Sequence, residues 1–236
     1  MDIDTIDVES TDFIFEKPSR IIITGSSGQG KSHFIEQLVK KHIDKFYKIV
    51  LCGSPNRLLD FPETSAITSH HKSNTDPIYN PFTQLTQYQI KSKNKLQCLV
   101  IIDDLMQISY KSDIVSDIFS KGRHYNISCI LSNQSFFPTG SGQSLYPQIK
   151  NNCTAFIFFK IRSNNQISTI SRHIECDVKS QRYFVSLYKQ HVREKKYGYI
   201  ANFLEVPDRI RYMTNLVGED GTPYLTIHIQ SDVTTV

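Results

Sequence analysis

Short apolar runs recur along the chain, and segments with helical spacing of apolar residues lie between them. The runs predict buried strands over residues 20–24, 48–52, 97–102, 127–132 and 154–159. Apolar residues spaced three and four apart predict helices over residues 33–45, 83–91, 111–122, 164–174 and 177–190. Strands that alternate with helices are typical of an α/β domain, with a mostly parallel central sheet and helices on both faces.

The glycine-rich turn after the first predicted strand is the first candidate for chemistry. Residues 25–32 read GSSGQGKS and match the phosphate-loop pattern G-x-x-x-x-G-K-[ST] in full. Its glycines let successive N–H groups point into one concavity at a helix N-terminus, where anions are favoured. The alternative, a turn with a coincidental Lys-Ser, does not explain the strand before it and the helix after it. We predict that a nucleoside triphosphate binds at Gly25, Ser26, Ser27, Gly28, Gln29, Gly30, Lys31 and Ser32.

Two adjacent aspartates, Asp103 and Asp104, end the third predicted strand. A carboxylate at the C-terminal end of a parallel strand projects into the crevice where ligands bind. We predict that Asp103 and the Ser32 hydroxyl hold Mg²⁺, and that Asp104 is the general base for the attacking water. The alternative is that the two aspartates cap the next helix, since aspartate is a good N-cap. Without a guanine-recognition signature in the sequence, ATP is favoured over GTP.

Two further polar residues flank the fourth predicted strand. Gln134 follows the strand and can hydrogen-bond both the water and the γ-phosphate; its alternative role is that of a solvated turn residue. Arg123 precedes the strand and, in a ring of subunits, could stabilise phosphoryl charge at the neighbour's nucleotide. A surface arginine in a turn is the alternative for Arg123, and Arg162 and Arg172 are the other candidates. The predicted catalytic residues are therefore Lys31, Asp104, Gln134 and Arg123.

Composition and charge are those of an intracellular globular protein. The 236 residues are 39% hydrophobic, and no run approaches the roughly 20 apolar residues of a membrane span. The N-terminus is acidic and lacks the layout of a signal peptide. The five cysteines are scattered, which favours buried free thiols in a reducing compartment over a zinc site. Residues 1–17 hold six acids and one lysine, so the rest of the chain is moderately basic and compatible with a polyanion partner.

The motifs together resemble the DNA-packaging ATPases of large and mid-size eukaryotic DNA viruses. The resemblance lies in RIIITGSSGQGKS, then LVIIDDLM, then SKGRHYNISCILSNQSFF, and covers residues 13–160. These ATPases belong to the FtsK–HerA superfamily, and the poxvirus-type enzyme is the best-known example. The G-R-H…S…Q block is the more specific part, because all P-loop proteins share the phosphate loop. One departure is Asp104, since many motors of this class carry glutamate at that position.

The resemblance implies a P-loop NTPase of the ASCE type that uses ATP and Mg²⁺ to pump double-stranded DNA into a preformed capsid. It implies a homo-oligomeric ring, a pentamer or hexamer, that contacts capsid or capsid-vertex proteins and works in the infected host cell, in the cytoplasm or nucleus or with the virion. The predicted organisation is an acidic N-terminal arm at 1–17, the ATPase domain at 18–213 and a flexible C-terminal tail at 214–236. Within that domain, residues 197–203 and 209–213 are predicted to form a hairpin.

Two basic clusters are candidate contacts for the DNA backbone, which a translocating ring must touch without reading sequence. One holds Lys91, Lys93 and Lys95, and the other holds Lys189, His191, Arg193, Lys195 and Lys196, flanked by Tyr188 and Tyr197. A solvated loop or helix end is the alternative for each cluster. Two other functions remain open: a ring motor that acts on DNA without a capsid, and a P-loop kinase for a small molecule.

Overall fold

The computed structural model describes residues 4–8, 11–53, 68–69, 79–105, 110–137, 146–217 and 225–230. Ten strands in these residues form one sheet in the order β1-β10-β9-β8-β7-β2-β6-β5-β3-β4. The strands are β1 (Asp4–Val8), β2 (Arg20–Thr24), β3 (Lys48–Cys52), β4 (Thr68–Ser69), β5 (Cys98–Asp103), β6 (Ile127–Asn133), β7 (Ala155–Phe159), β8 (Tyr199–Phe203), β9 (Tyr212–Thr214) and β10 (Leu225–Ile229). The α-helices are α1 (Lys31–Lys41), α2 (Tyr79–Lys91), α3 (Asp113–Lys121), α4 (Tyr146–Asn151), α5 (Asn164–Ile174) and α6 (Val178–Tyr188).

One half of the sheet, from β7 to β4, is parallel throughout. β2 lies at its centre between β6 and β7, and β5 and β3 follow outward from β6. All residues of β2, β5, β6 and β7 are buried, which explains why these strands read as apolar runs. The predicted α/β architecture with a mostly parallel central sheet is confirmed.

The other half of the sheet, from β8 to β1, is antiparallel. β8 pairs with β7 and β9, which confirms the predicted hairpin. β10 then pairs with β9, and β1 pairs with β10, so that Asp4 lies opposite Ile229. The predicted acidic arm and C-terminal tail therefore each contribute a strand to the sheet. Neither strand was predicted, because neither is buried throughout: β1 includes Ile6, which is 50% exposed, and β10 is only partly buried.

Helices cover both faces of the sheet, as predicted. Alternate residues of β2 point to opposite faces: Ile22 packs with the helices α2 to α6, whereas Ile21 and Ile23 pack with α1. A 3-10 helix, Asp12–Phe15, adds Ile14 and Phe15 to the α1 face. Pro18 therefore does not separate the N-terminal segment from the core.

Several element boundaries differ from the predictions. A single-turn π-helix, Lys189–Arg193, follows α6, and α4 was not predicted because six residues hold too little periodicity. Most of the region 53–81 lies outside the described residues, although β4 within it pairs with β3. No helix in the described ranges has the length and hydropathy of a membrane span.

Candidate nucleotide-binding and catalytic site

The site lies where the C-terminal ends of β2, β6 and β5 meet at one edge of the sheet. These strands are neighbours in the parallel half, with Thr24 opposite Asn133 and Asp103 opposite Ser132. The phosphate loop, the two aspartates and Gln134 follow these strand ends directly. The structure therefore brings together residues that are as many as 109 positions apart in the chain.

The phosphate loop is tied to the strands beside it. The Gly25 N–H donates to the Asn133 carbonyl at 3.3 Å, and the Ser26 N–H donates to the Lys160 carbonyl at 2.9 Å. A Cβ at Gly25 would lie 2.5 Å from the Cβ of Phe159, so only glycine fits at this position. Gly30 has φ of 91° and caps α1 from the left-handed region, where a side chain would add strain. The loop is thus held at the helix N-terminus, which favours anions.

Lys31 and Ser32, the first two residues of α1, direct their side chains to opposite sides of the loop. The Lys31 ammonium donates to the carbonyl oxygens of Gly25 and Ser26, at 2.6 and 3.1 Å. The Ser32 hydroxyl donates to Oδ2 of Asp103 at 2.9 Å. Hydroxyl and carboxylate oxygens are ligands that Mg²⁺ accepts, together with phosphate oxygens and water. The oxygens of Ser32 and Asp103 therefore have the chemistry to hold a magnesium ion, and the metal site stays a prediction.

Asp104 and Gln134 form a second pair beside the first. The Gln134 amide donates from Nε2 to Oδ1 of Asp104 at 2.8 Å. Asp104 has φ of 57°, a left-handed conformation that aspartate tolerates better than most residues, and its N–H donates to the Ser132 carbonyl at 3.1 Å. Such backbone outliers cluster at functional sites. The next described helix, α3, is capped by Ser112, so the structure gives the aspartates no capping role there.

The candidate arginines lie elsewhere. Arg123 belongs to a 3-10 helix, Gly122–Tyr125, that precedes β6, so the whole seven-residue strand separates it from the site, roughly 20 Å. Arg162 follows β7 and is exposed at the same edge as the phosphate loop. Arg172 donates to the Ser168 carbonyl within its own helix, α5. The structure thus does not bring Arg123 to the nucleotide site of its own chain.

A cavity of about 520 Å³ opens at the phosphate loop. It is lined by Ser27, Gly28, Gly30, Lys31, Ser32, His33, Phe34, Asp103, Asp104, Gln134, Phe159 and Tyr197. Tyr197, like His33, Phe34 and Phe159, lines the cavity although the sequence did not assign it to this site. It precedes β8, and the antiparallel pairing of β8 with β7 brings it to the loop. No local pattern links it to residues 167 positions earlier in the chain.

The two basic clusters lie at opposite edges of the sheet. Lys91, Lys93 and Lys95 precede β5 and so lie at the edge away from the phosphate loop, whereas the cluster at 189–196 precedes β8 and lies near it. His191 turns inward, with its ring 4.4 Å from that of His228. Tyr188 is fully buried, and its hydroxyl bonds the backbone of Ile161 and Phe159. Only the other cations of this cluster face solvent.

All five cysteines are free thiols, and the prediction that they are buried is confirmed for four of them and wrong for Cys176. Cys52, Cys98, Cys129 and Cys153 are buried, and Cys176 is exposed. Burial raises the pKa of Cys98 to about 11 and the pKa of Cys129 and Cys153 well above the usual value. The thiols of Cys98, Cys129 and Cys153 therefore stay protonated at neutral pH and act as small apolar side chains.

Comparisons with known proteins identify the family of the chain and structures with a similar fold. The profile of the poxvirus A32 protein family matches residues 10–206. The genome packaging NTPase B204 from Sulfolobus turreted icosahedral virus 2, solved in complex with ATP-gammaS, superposes with a TM-score of 0.57 at 17% identity, covering 79% of this chain and 92% of that one. B204 from Sulfolobus turreted icosahedral virus, a DNA-packaging ATPase, gives 0.55 at 16% identity, with 80% and 94% covered.

A further similar structure is that of the conjugation coupling protein TcpA of pCW3, with a TM-score of 0.51 at 16% identity, covering 85% of this chain and 63% of that one. At these identities the superpositions establish the fold. No curated protein matches the chain in sequence.

Proposed function

Because the chain belongs to the poxvirus A32 protein family, we propose that it is an ATP-hydrolysing motor that packages double-stranded viral DNA into a preformed capsid. The observation that carries the proposal is the family match over residues 10–206. The paired side chains at the phosphate loop support it, because they supply what hydrolysis of a bound triphosphate requires. The motor works inside the infected cell, in the cytoplasm or nucleus or associated with the virion.

The side chains of the site divide the work of hydrolysis between them. Backbone N–H groups of the loop and the Lys31 ammonium hold the phosphates. Ser32 and Asp103 would hold Mg²⁺, which neutralises charge that develops on the phosphates. The Asp104 carboxylate accepts the proton of the attacking water, and the Gln134 amide, which donates to it at 2.8 Å, orients that carboxylate. Gln134 can exchange this bond for one to the γ-phosphate and so report its presence.

Subunits of the motor form a ring, a pentamer or hexamer, that docks on capsid or capsid-vertex proteins. Arg123 lies at the far edge of its own sheet, so only a neighbouring subunit's nucleotide is within its reach. Arg162 is the alternative, because it is exposed at the nucleotide edge of the same chain. A ring would therefore give Arg123→Ala a defect that mixing with Lys31→Ala subunits partly rescues, as each supplies what the other lacks.

The DNA backbone contacts the solvent-facing cations before β8: Lys189, Arg193, Lys195 and Lys196. They lie at the same edge of the sheet as the phosphate loop, so a structural change at the nucleotide has only a short distance to cross before it reaches them. Reversing the charge of Lys195 and Lys196 should reduce the stimulation of ATP hydrolysis by duplex DNA. The same reversal at Lys93 and Lys95 is the matched control at the opposite edge. Equal effects of both reversals would contradict this assignment.

Movement along duplex DNA is the direct test of the motor function. A third strand bound to linear duplex DNA is displaced when a translocating protein reaches it, and its release can be followed by gel electrophoresis. We expect release with ATP and none with ADP. Separation of the duplex strands instead would indicate a helicase-like motor, and hydrolysis that ignores DNA would favour the small-molecule kinase. Packaging itself is tested by loss of filled particles when Lys31 is replaced in the virus.

A further inference from the structure

Tyr197 lies directly against the phosphate loop. A Cβ placed on Gly30 would be 3.3 Å from Cδ1, 3.4 Å from Cβ and 3.5 Å from Cγ of Tyr197, so the tyrosine packs on the backbone just before Lys31. Its side chain nevertheless stays half exposed, at 50%, and lines the cavity at the loop. The ring therefore packs against the loop and still presents a surface that a ligand can reach.

The backbone around Tyr197 keeps the ring in this position. Tyr197 has φ of 64°, in the left-handed region that a bulky residue adopts only when its surroundings impose it. A Cβ at Gly198 would lie 2.2 Å from the His191 carbonyl oxygen, so the turn closes tightly on the π-helix before it. Tyr199, the next residue, is buried, and its hydroxyl accepts a hydrogen bond from the Leu216 N–H at 2.6 Å. The turn is thus held from both sides.

The other groups of the cavity account for the phosphates but not for the rest of a nucleotide. Lys31, Ser32, Asp103, Asp104 and Gln134 are polar and surround the loop. A nucleoside triphosphate also carries a flat aromatic base, which stacks favourably on aromatic side chains.

Three aromatic rings of Phe and Tyr line the cavity, and two of them are closed to a ligand. Phe34 and Phe159 are 2% and 1% exposed and pack against each other at 5.6 Å. Tyr197 is the Phe or Tyr ring of the lining that remains accessible, and the exposed imidazole of His33 also lines the cavity. The Lys196 ammonium lies over the ring of Tyr197, 5.1 Å from its centre, so a base that stacks on that face would take the place of this cation.

We propose that Tyr197 is the base platform of the nucleotide site, with its ring stacked on the base of an ATP whose phosphates lie in the loop. This proposal rests on the proposed nucleotide-binding function and adds a contact for the nucleoside part of the ligand. A stacking contact uses the face of the base and leaves its edge unread, so it favours any nucleotide over a bare triphosphate and distinguishes little between ATP and GTP.

Binding measurements on three variants test the platform. Titration calorimetry would compare ADP, GDP and inorganic triphosphate as ligands of the wild type, Tyr197→Ala, Tyr197→Phe and Tyr47→Ala. Tyr47 is a matched control, because it is 59% exposed and lies outside the cavity lining. We expect Tyr197→Ala to weaken both nucleotides by roughly 5- to 100-fold and to leave inorganic triphosphate within about twofold, with Tyr197→Phe close to wild type.

Two results would overturn the platform while leaving the phosphate site intact. One is unchanged nucleotide affinity in Tyr197→Ala. The other is an equal loss of affinity for inorganic triphosphate in Tyr197→Ala, which would mean that Tyr197 supports the conformation of the phosphate loop and does not stack on the base. Failure of the wild type to bind any of the three ligands would instead refute the proposed nucleotide function itself.

A fluorescence measurement gives an independent check, because the chain contains no tryptophan. In Tyr197→Trp the introduced indole is the sole tryptophan reporter and retains a ring that can stack. A base that stacks on it should quench or shift its emission when ADP binds, and inorganic triphosphate should leave the emission nearly unchanged. The same emission change with both ligands would contradict base stacking.

Discussion

The parallel and antiparallel halves of the sheet are two regions of the molecule that differ in the kind of contacts that stabilise them. In the parallel half, β2, β5 and β6 are buried along their whole length, and the polar residues of the site lie at or just after their C-terminal ends. In the antiparallel half, strands from both chain ends pair, and buried polar contacts connect them to the helices. The phosphate chemistry therefore belongs to the first half, and the second half adds Tyr197 to the same site.

The largest expected effect concerns a buried ion pair that joins the antiparallel half to the helices. Glu175 is 3% exposed and contacts the Arg211 guanidinium and the Tyr212 hydroxyl. Removing Glu175 leaves the Arg211 guanidinium with Asp208 as its remaining ion-pair partner and takes the acceptor from the buried Tyr212 hydroxyl. Glu175→Ala should therefore lower the free energy of unfolding by up to about 3–5 kcal/mol. Chemical denaturation would measure it.

The matched control for that variant is an exposed ion pair within one helix. Asp117 and Lys121 are 2.8 Å apart, with side chains 42% and 60% exposed, and Asp117→Ala should cost less than about 1 kcal/mol. An equal loss in the free energy of unfolding for Glu175→Ala and Asp117→Ala would contradict the view that the buried contacts of Glu175 stabilise the antiparallel half.

The second effect separates chemistry from stability in the parallel half. Lys31→Ala removes the ammonium that holds the phosphates but no buried apolar surface. We expect steady-state ATP hydrolysis to fall roughly 100- to 1,000-fold, with the thermal midpoint within a few degrees of wild type. A comparable fall in the thermal midpoint would show that the lysine supports the fold rather than the reaction.

The smallest effect compares a buried histidine in each region. Burial lowers the pKa of His42, beside α1, to about 4 and the pKa of His228, in β10, to about 3. The unfolded chain binds a proton to each near pH 6.5, so stability is complete above that pH and is lost as the pH falls towards the folded pKa. Each histidine should cost about 2 kcal/mol between pH 6.5 and 5.

Denaturation at several pH values would measure how steeply the free energy of unfolding falls as the pH is lowered. Because His42 and His228 should contribute about equally, His228→Asn should remove about half of the fall that the two histidines cause. The His228 ring accepts or donates one hydrogen bond, with Thr214 at 3.0 Å, and asparagine can retain such a bond. A slope unchanged in His228→Asn would show that this histidine does not titrate between the folded and unfolded states.

The parallel half could be predicted from the sequence because its signals are local. A strand buried on both faces must be apolar throughout, so β2, β5 and β6 stand out, and the phosphate loop is one contiguous motif. The pairing of Ser32 with Asp103 followed, because the parallel strands β2 and β5, with β6 between them, end at the same edge of the sheet. The bond from Gln134 to Asp104 was not predicted, since it depends on the left-handed turn of Asp104.

The antiparallel half could be predicted only in part, because its contacts join distant segments. Edge strands such as β1 need no continuous apolar run, so the first and last segments carried no strand signal. Tyr197 was read as a flank of a basic cluster and proved to lie on Gly30, which only the pairing of β8 with β7 brings near. The inward turn of His191 and the burial of Tyr188 likewise depend on tertiary packing.

We propose that ATP hydrolysis at this site depends on Asp104 and is coupled to DNA. The measurement is the steady-state ATPase rate of wild type and Asp104→Asn, with and without duplex DNA. Duplex DNA should stimulate the wild type, and Asp104→Asn should lose both rates by about 100-fold or more, as removal of a general base does, while still binding ADP. A wild type that ignores DNA, or a fully active Asp104→Asn enzyme, would contradict the claim.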